Sequence, residues 1–288
     1  MVYLYIKYSP IYCNIKRMIK RIYFEITDAC NLNCPFCTNE KGNTFVDLDT
    51  CTRVLKQIKE VCDYVYLHVL GEPLLHPDIE KILNYCDKLK LNVQLVTNGI
   101  LLNRNILEHS CLRKLSVSLH SVNNLDIDNS YFDNIDEIIR DNKVNIELRF
   151  YDPEHLDTKL KSYLDKLNLE YGPETTSKKD SYRLKDNVYI YFQELFRWPD
   201  INDAYIGDKG KCLGAVNQLA VLHDLSVTIC CLDPKGHNRI GTLRENSLKE
   251  IIESEEYKKL ISKLKNNRLC KELCTKCSYR LRFDGKSN

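Results

Sequence analysis

Between residue 21 and about residue 193, short apolar runs alternate with stretches of helical periodicity. The runs lie at 22–27, 64–70, 92–97, 114–119, 144–150 and 187–193. They are rich in Val, Ile, Tyr and Leu, and each is followed by a turn or polar stretch, the mark of a strand. Amphipathic segments at 49–62, 78–89, 102–109, 133–141 and 154–167 predict the intervening helices. Asp78, directly after Pro77, suits the start of the second. Strand–helix alternation requires parallel pairing and right-handed crossovers, as a doubly wound sheet or a (β/α) barrel. Six units are too few for a closed barrel of eight.

Residues 172–186 are polar and turn-rich and read as a loop before the sixth strand. After Trp198-Pro199 the rhythm changes. Residues 218–222 and 226–229 flank His223-Asp224-Leu225 as a hairpin would, and 247–265 reads as one charged helix. The expected organisation is an N-terminal extension at 1–20, the strand–helix unit at 21–199, and a smaller domain at 200–288. That last part is too small to rest on an apolar core alone and suits a metal staple.

With 43% hydrophobic and 28% charged residues, the chain has material for a sizeable core. Lys and Arg exceed Asp and Glu by only two, which is no electrostatic footprint for nucleic acid or an anionic membrane. The uncharged stretch 8–15 precedes Lys16-Arg17, the reverse of a secretory signal, and no run approaches the length of a membrane span. The expected setting is the cytoplasm.

In that reducing compartment the fourteen cysteines argue for ligation or buried thiols rather than disulfides. Cys13, Cys51, Cys62, Cys86 and Cys111 are scattered and read as small buried hydrophobes. The other nine are grouped: Cys30/Cys34/Cys37, Cys212, Cys230/Cys231 and Cys270/Cys274/Cys277.

Cys30-Asn-Leu-Asn-Cys34-Pro-Phe-Cys37 directly follows the first strand. Three thiolates on one loop can hold three irons of a cubane and leave the fourth iron open, whereas a zinc loop would want a fourth Cys or His nearby. The next histidine is His68. Further elements follow at the ends of later strands: Gly71-Glu72-Pro73, Thr97-Asn98-Gly99 and Ser116-Val-Ser118-Leu-His120. Together, in this order, they resemble the radical S-adenosylmethionine (radical SAM) superfamily, with its Cys-x3-Cys-x2-Cys, "GEP" and "TNG" elements.

The resemblance implies a partial (β/α)6 TIM-like barrel whose open-site [4Fe–4S] cluster sits on Cys30, Cys34 and Cys37 and binds S-adenosylmethionine. It implies Phe36 beside the adenine, and Gly71, Glu72 and Pro73 at the methionine ammonium. Thr97, Asn98 and Ser118 would complete the cofactor site, with Ser118 at the ribose or methionyl end. The arginine often found soon after the fourth strand is missing from residues 121–131. Arg149 is a substitute or a structural ion-pair partner.

Residues 212–277 resemble the SPASM extension or its shortened twitch form, which hold auxiliary [4Fe–4S] clusters. Six cysteines, two of them adjacent, fit one cluster better than two. Neighbouring residues of an extended strand point to opposite sides. By resemblance the ligands are Cys212, Cys230, Cys274 and Cys277, with Cys231 and Cys270 in reserve; the rival metal is zinc.

The implied chemistry is reductive cleavage of S-adenosylmethionine to a 5′-deoxyadenosyl radical that takes a hydrogen from the substrate. A reduced flavodoxin- or ferredoxin-type donor would supply the electron. The first functional reading is peptide maturation by crosslinking or epimerisation, and for an epimerase Cys231 is a candidate to return the hydrogen. The second is small-molecule dehydrogenation, and the third a non-catalytic metal-binding module. His68 and His120 are candidate general bases. Trp198 is expected at the domain junction rather than in a substrate cleft. Tyr3, Leu4, Tyr5, Ile6 and Tyr8 suit an edge strand.

Overall fold

The computed structural model describes residues 19–38, 40, 42–140, 143–194 and 197–283. The strand expected near the N-terminus, the 1–18 part of the extension and Cys13 lie outside the described residues. All six expected strands are present: β1 (Arg21–Phe24), β2 (Tyr64–Tyr66), β3 (Asn92–Thr97), β4 (Leu112–Ser118), β5 (Asn145–Tyr151) and, two strands later, β8 (Val188–Gln193). They pair in parallel and in chain order. The sheet they form is open, a partial (β/α)6 barrel.

Helices pack on the strands because their apolar residues recur on one face. In Leu48–Val61, the residues Cys51, Val54, Leu55, Ile58 and Val61 are buried, and the Asp47 carboxylate caps the start by accepting from the Thr50 N–H at 2.8 Å. Thr158–Tyr171 is capped by Asp157 and stops at Gly172, whose φ of 55° is left-handed. Cys51, Cys62, Cys86 and Cys111 are all buried, each at 3% exposure or less. Among the described residues no helix is long and apolar enough to cross a membrane.

Four expectations need correction. Residues 172–186 are not a loop: β6 (Glu174–Thr175) and β7 (Ser181–Lys185) form an antiparallel extension on β8. Their sequence looked loop-like because an edge ribbon exposes much of its polar surface. Residues 102–109 form only a short 3-10 turn, Arg104–Glu108. Residues 247–265 are two helices, Leu248–Glu253 and Glu255–Lys265. Ser254 breaks them: its backbone is extended, and its hydroxyl accepts from the Tyr257 N–H to start the second helix.

The fourth correction concerns Cys230 and Cys231. The hairpin expected around His223 is β9 (Gln218–Val221) and β10 (Ser226–Thr228), followed by β11 (Arg239–Thr242). Strand β10 ends at Thr228, so the two cysteines sit in a turn, closed by the Asp233 N–H donating to the Cys230 carbonyl at 3.2 Å. Their side chains diverge in that turn rather than by strand alternation. Strand β9 lies parallel to β1, from Arg21 beside Gln218 to Phe24 beside Val221. The C-terminal segment therefore continues the same sheet and sets its cysteines beside the first cysteine loop.

Candidate functional site

The loop after β1 is fastened before it reaches its cysteines. Thr27 donates its hydroxyl to the Thr44 carbonyl at 2.7 Å and accepts the Ala29 N–H at 3.0 Å. The Glu72 N–H donates to the Ala29 carbonyl at 2.8 Å, tying this loop to the one after β2. Gly71 makes that approach possible: a Cβ there would lie 2.1 Å from the Thr27 carbonyl oxygen. The Cys37 N–H donates to the Cys34 carbonyl at 3.0 Å, turning the chain so that all three thiols line a cavity of about 380 Å³. Phe36, Gly71, Glu72, Thr97, Asn98, Ser118 and His120 share its wall. Pro73 does not; it is the first residue of a buried 3-10 turn.

Glu72, 3% exposed, links these loops. Its Oε1 accepts from the Leu74 N–H at 3.0 Å and the Thr97 hydroxyl at 2.8 Å, and its Oε2 from the Asn98 N–H at 2.8 Å. Burial raises its pKa. The Asn98 side chain donates to Asn31 Oδ1 at 2.7 Å, inside the cysteine loop. Tyr131 donates its hydroxyl to the Asn98 carbonyl from behind at 2.8 Å.

Burial pushes the Cys34 thiol up to about 11 and raises Cys30 as well. Thiols in such a setting ionise when a cationic centre takes them as ligands, which is the chemistry of an iron–sulfur cluster. The donor set of Cys30, Cys34 and Cys37 fits a cubane with one iron left open.

His120 stacks on Tyr151 at 3.7 Å between centroids and meets Phe36 at 5.2 Å. Burial pushes His120 down to about 4, so the ring is neutral at pH 7. Its Nδ1 lies 3.2 Å from the Arg149 carbonyl, the geometry of an N–H donor. His68 is also held neutral, its pKa lowered to about 3 by burial, and its buried Nδ1 has no protein partner. It sits edge-on to Tyr23 and Tyr66.

Arg149 is an ion-pair partner that also lines the cavity. Its Nε donates to Glu147 Oε2 at 2.8 Å, and Lys114 meets Oε1 at 3.0 Å. Against the opposing effect of burial, these cations bring Glu147 down to about 2. Trp198, expected at the domain junction, lines the cavity. So do Tyr23, Tyr66, Tyr151 and Tyr279, which sequence reasoning missed. Tyr23 and Tyr66 had one signal, a tyrosine flanked by apolar residues on strands that precede cofactor loops.

The second cysteine group divides. Cys212, Cys230, Cys274 and Cys277 line one small pocket, whereas Cys231 faces the larger cavity and Cys270 is exposed. Polar hydrogens point at the sulfurs: Gly214 N–H to Cys212 at 3.3 Å, Gln218 Nε2 to Cys230 at 3.4 Å and Asn238 Nδ2 to Cys274 at 3.3 Å. Such donors stabilise thiolate ligands and tune cluster potentials, so four thiols with this shell fit an auxiliary cubane. Among the described residues, no three His, Cys, Asp or Glu side chains form a group that could hold a single metal ion. Cys231 follows Cys230 directly in the chain, and Tyr23 lines the same cavity as Cys231.

Glu25 pins the two cysteine regions together. Its Oε1 accepts the Leu70 N–H at 3.1 Å, and its Oε2 lies 2.8 Å from His223 Nδ1; His223 Nε2 is 3.3 Å from Asp28. The hydrogen bond to Glu25 raises the His223 pKa above 6.5. A raised folded value means stabilisation that is complete below the unfolded value of about 6.5 and fades as pH climbs through the folded one. We therefore expect His223→Gln to lower Tm most at about pH 6 and progressively less toward about pH 9. Thermal melts across that range check this; a pH-independent difference would refute the pairing.

A profile of the radical SAM superfamily matches residues 24–150, and one of the SPASM iron–sulfur cluster-binding domain matches residues 212–278. GTP 3′,8-cyclase of Aquifex aeolicus is 31% identical over 123 residues, covering 38% of each chain. PqqA peptide cyclase of Gluconobacter oxydans is 35% identical over 89 residues, 29% of this chain and 25% of the relative. The matched segments thus span about a quarter to two-fifths of these curated relatives' lengths.

Among solved structures, BtrN in an open conformation superposes with a TM-score of 0.57 at 14% identity, covering 91% of this chain and 92% of that one. Streptococcus suis SuiB bound to precursor peptide SuiA gives 0.55 at 12% identity, over 86% and 69%. At such identities the likeness is one of fold.

Proposed function

The chain is a radical SAM protein with a C-terminal SPASM domain, and on that premise we propose that it is an enzyme that epimerises a residue of a peptide. The observation that carries this reading is Cys231, a thiol opening into the same cavity as Cys30, Cys34 and Cys37. A crosslinking enzyme needs no hydrogen donor at that position. An epimerase does.

Cys30, Cys34 and Cys37 would hold a [4Fe–4S] cluster, and Cys212, Cys230, Cys274 and Cys277 a second. With S-adenosylmethionine bound, the first supplies one-electron cleavage of the sulfonium and abstraction of a hydrogen atom from an unactivated C–H bond. Glu72 and its neighbouring backbone would receive the methionine ammonium through a charge-assisted hydrogen bond. Phe36, beside His120 and Tyr151, would flank the adenine, and Ser118 the ribose or methionyl end. His68 and His120, both neutral, would serve as walls and hydrogen-bonding groups rather than as cations.

Cys231 would then deliver its hydrogen atom to the opposite face of the substrate carbon. Its S–H bond breaks as the new C–H bond forms, and the sulfur radical regains a thiol by taking one electron and one proton. The electron comes from a low-potential one-electron donor of the flavodoxin or ferredoxin class. The substrate class draws support from the peptide partner of SuiB and the peptide-cyclase relative. A reducing cytoplasm, where free thiols persist, suits both metal sites.

The test uses peptides encoded beside the gene, in D2O with a strong reductant. A thiol exchanges with solvent, so each epimerised residue should gain one deuterium. Cys231→Ser should still form 5′-deoxyadenosine but lose deuterium incorporation. Epimer formation that survives in Cys231→Ser overturns the assignment. A product two hydrogens lighter, indifferent to this substitution, would instead establish the dehydrogenase reading.

A further inference from the structure

Residues 205–213 run beside residues 267–282 as a ribbon that is strand-like only at the Lys209–Arg268 bridge, after which the second segment coils into the short helix Glu272–Lys276 and a 3-10 turn. The Leu269 N–H donates to the Asp208 carbonyl at 2.7 Å, the Gly210 N–H to Asn267 at 3.0 Å and the Ile206 N–H to Thr275 at 2.8 Å. These two segments hold seven Lys or Arg against two Asp or Glu, in a chain whose net charge is only +2. Arg280 is buried, and Arg268, Lys271 and Lys276 meet Asp208, Glu256 and Glu272, so the excess is carried outward by Lys209, Lys211 and Arg282. Positive charge that is diluted over the whole molecule is concentrated here. The same ribbon exposes apolar groups, notably Tyr205 at 65%, Leu281 at 47% and Leu213 at 39%. It also carries Cys212, Cys274 and Cys277, three of the four thiols around the smaller pocket.

A basic, partly apolar surface over a metal-ligating site fits one kind of visitor. We infer that this ribbon is the docking surface for a small acidic one-electron carrier protein, which delivers its electron at the Cys212/Cys230/Cys274/Cys277 site. Charge complementarity steers such an encounter, and the apolar groups supply the contact once it forms. Cys230 lines the smaller pocket and its chain neighbour Cys231 the larger cavity, so the electron that restores Cys231 after hydrogen transfer has a short way in. The balance is one electron from the carrier, which is oxidised, and one proton, giving thiol from the sulfur radical. The inference rests on the auxiliary-cluster assignment but not on the identity of the substrate.

The experiment reads electron delivery rather than product. The full chain, reconstituted with iron and sulfide, is mixed anaerobically with flavodoxin hydroquinone, and flavodoxin oxidation is followed by stopped flow. The second-order rate should fall about tenfold between low and moderate salt, as steered encounters do. The triple variant Lys209→Glu, Lys211→Glu, Arg268→Glu should slow it by about tenfold at low salt. The milder pair Lys209→Gln, Lys211→Gln should give a smaller loss in the same direction. Iron content and the rate of dithionite reduction should stay at wild-type values in both, which reports an intact fold. In Cys274→Ala the salt-sensitive phase should disappear.

Rates indifferent to salt and to charge reversal would overturn the proposal. So would a salt-sensitive phase that survives in Cys274→Ala, because electrons would then enter elsewhere. If charge reversal instead abolishes binding of an acidic peptide and leaves the flavodoxin rate alone, the ribbon serves substrate and the inference fails. Each outcome is independent of whether Cys231→Ser blocks epimerisation.

Discussion

Alanine at position 71 should abolish cleavage of S-adenosylmethionine. The added Cβ would lie 2.1 Å from the Thr27 carbonyl oxygen, 2.8 Å from its carbon and 3.0 Å from the Ala29 carbonyl oxygen. All three are backbone atoms, so no rotamer change relieves the overlap. The loop bearing Cys30 must move, and the 2.8 Å bond from the Glu72 N–H to Ala29 is lost with it. Overpacking of this kind costs about 1–3 kcal/mol or more. Displacing reacting groups by about 1 Å can cost about a hundredfold in rate.

Wild-type protein reconstituted anaerobically should carry about eight irons, four for each cubane. Gly71→Ala should retain about four, because the second site takes all its thiols from residues 212–277. Iron analysis together with 5′-deoxyadenosine formation checks both halves. A Gly71→Ala protein with full iron and wild-type cleavage would refute the tight approach of these loops. About four irons and one zinc in the wild type would remove the auxiliary cluster instead.

Glu72→Gln should give a different failure. The carboxylate accepts three hydrogen bonds, from Leu74, Thr97 and Asn98, and donates none. An amide of the same shape must turn its NH2 toward at least one of those donors. Leaving a buried donor unsatisfied costs about 1–3 kcal/mol, and the anion that would meet an ammonium is also lost. We expect S-adenosylmethionine affinity to fall about 10- to 100-fold, equivalent to about 1.4–2.7 kcal/mol. Iron content should be unchanged, since the cysteine loop keeps the backbone bond to residue 72. Equilibrium dialysis of the reconstituted protein measures this. Unaltered affinity would remove Glu72 from the cofactor site.

These predictions start from three- and four-residue elements that were legible before any coordinates. Each lies at the end of a strand, and a strand's alternation and a helix's period are set by side chains a few positions apart. The six parallel strands followed from the same local patterns. The ribbon β6–β7 was not legible, because its exposed polar residues look the same in a loop as on a sheet edge. The break at Ser254 was missed for a related reason: serine is common on exposed helix faces, and only its bond to the Tyr257 N–H marks it as a cap.

Residue order alone determined the strand–helix rhythm, the loop carrying three thiols and the ligand types available to each candidate metal site, because all of these are local. Tertiary structure alone decided where Cys231 faces and what surrounds it. His223 meets Glu25 across 198 residues of sequence, and β9 lies beside β1 at a similar separation. No short-range pattern encodes such a pairing; it follows from the burial and backbone hydrogen bonding gained when the hairpin completes the sheet's edge. That pairing sets Tyr23, on β1, in the wall of the same cavity as Cys231, where the two halves of the chain meet.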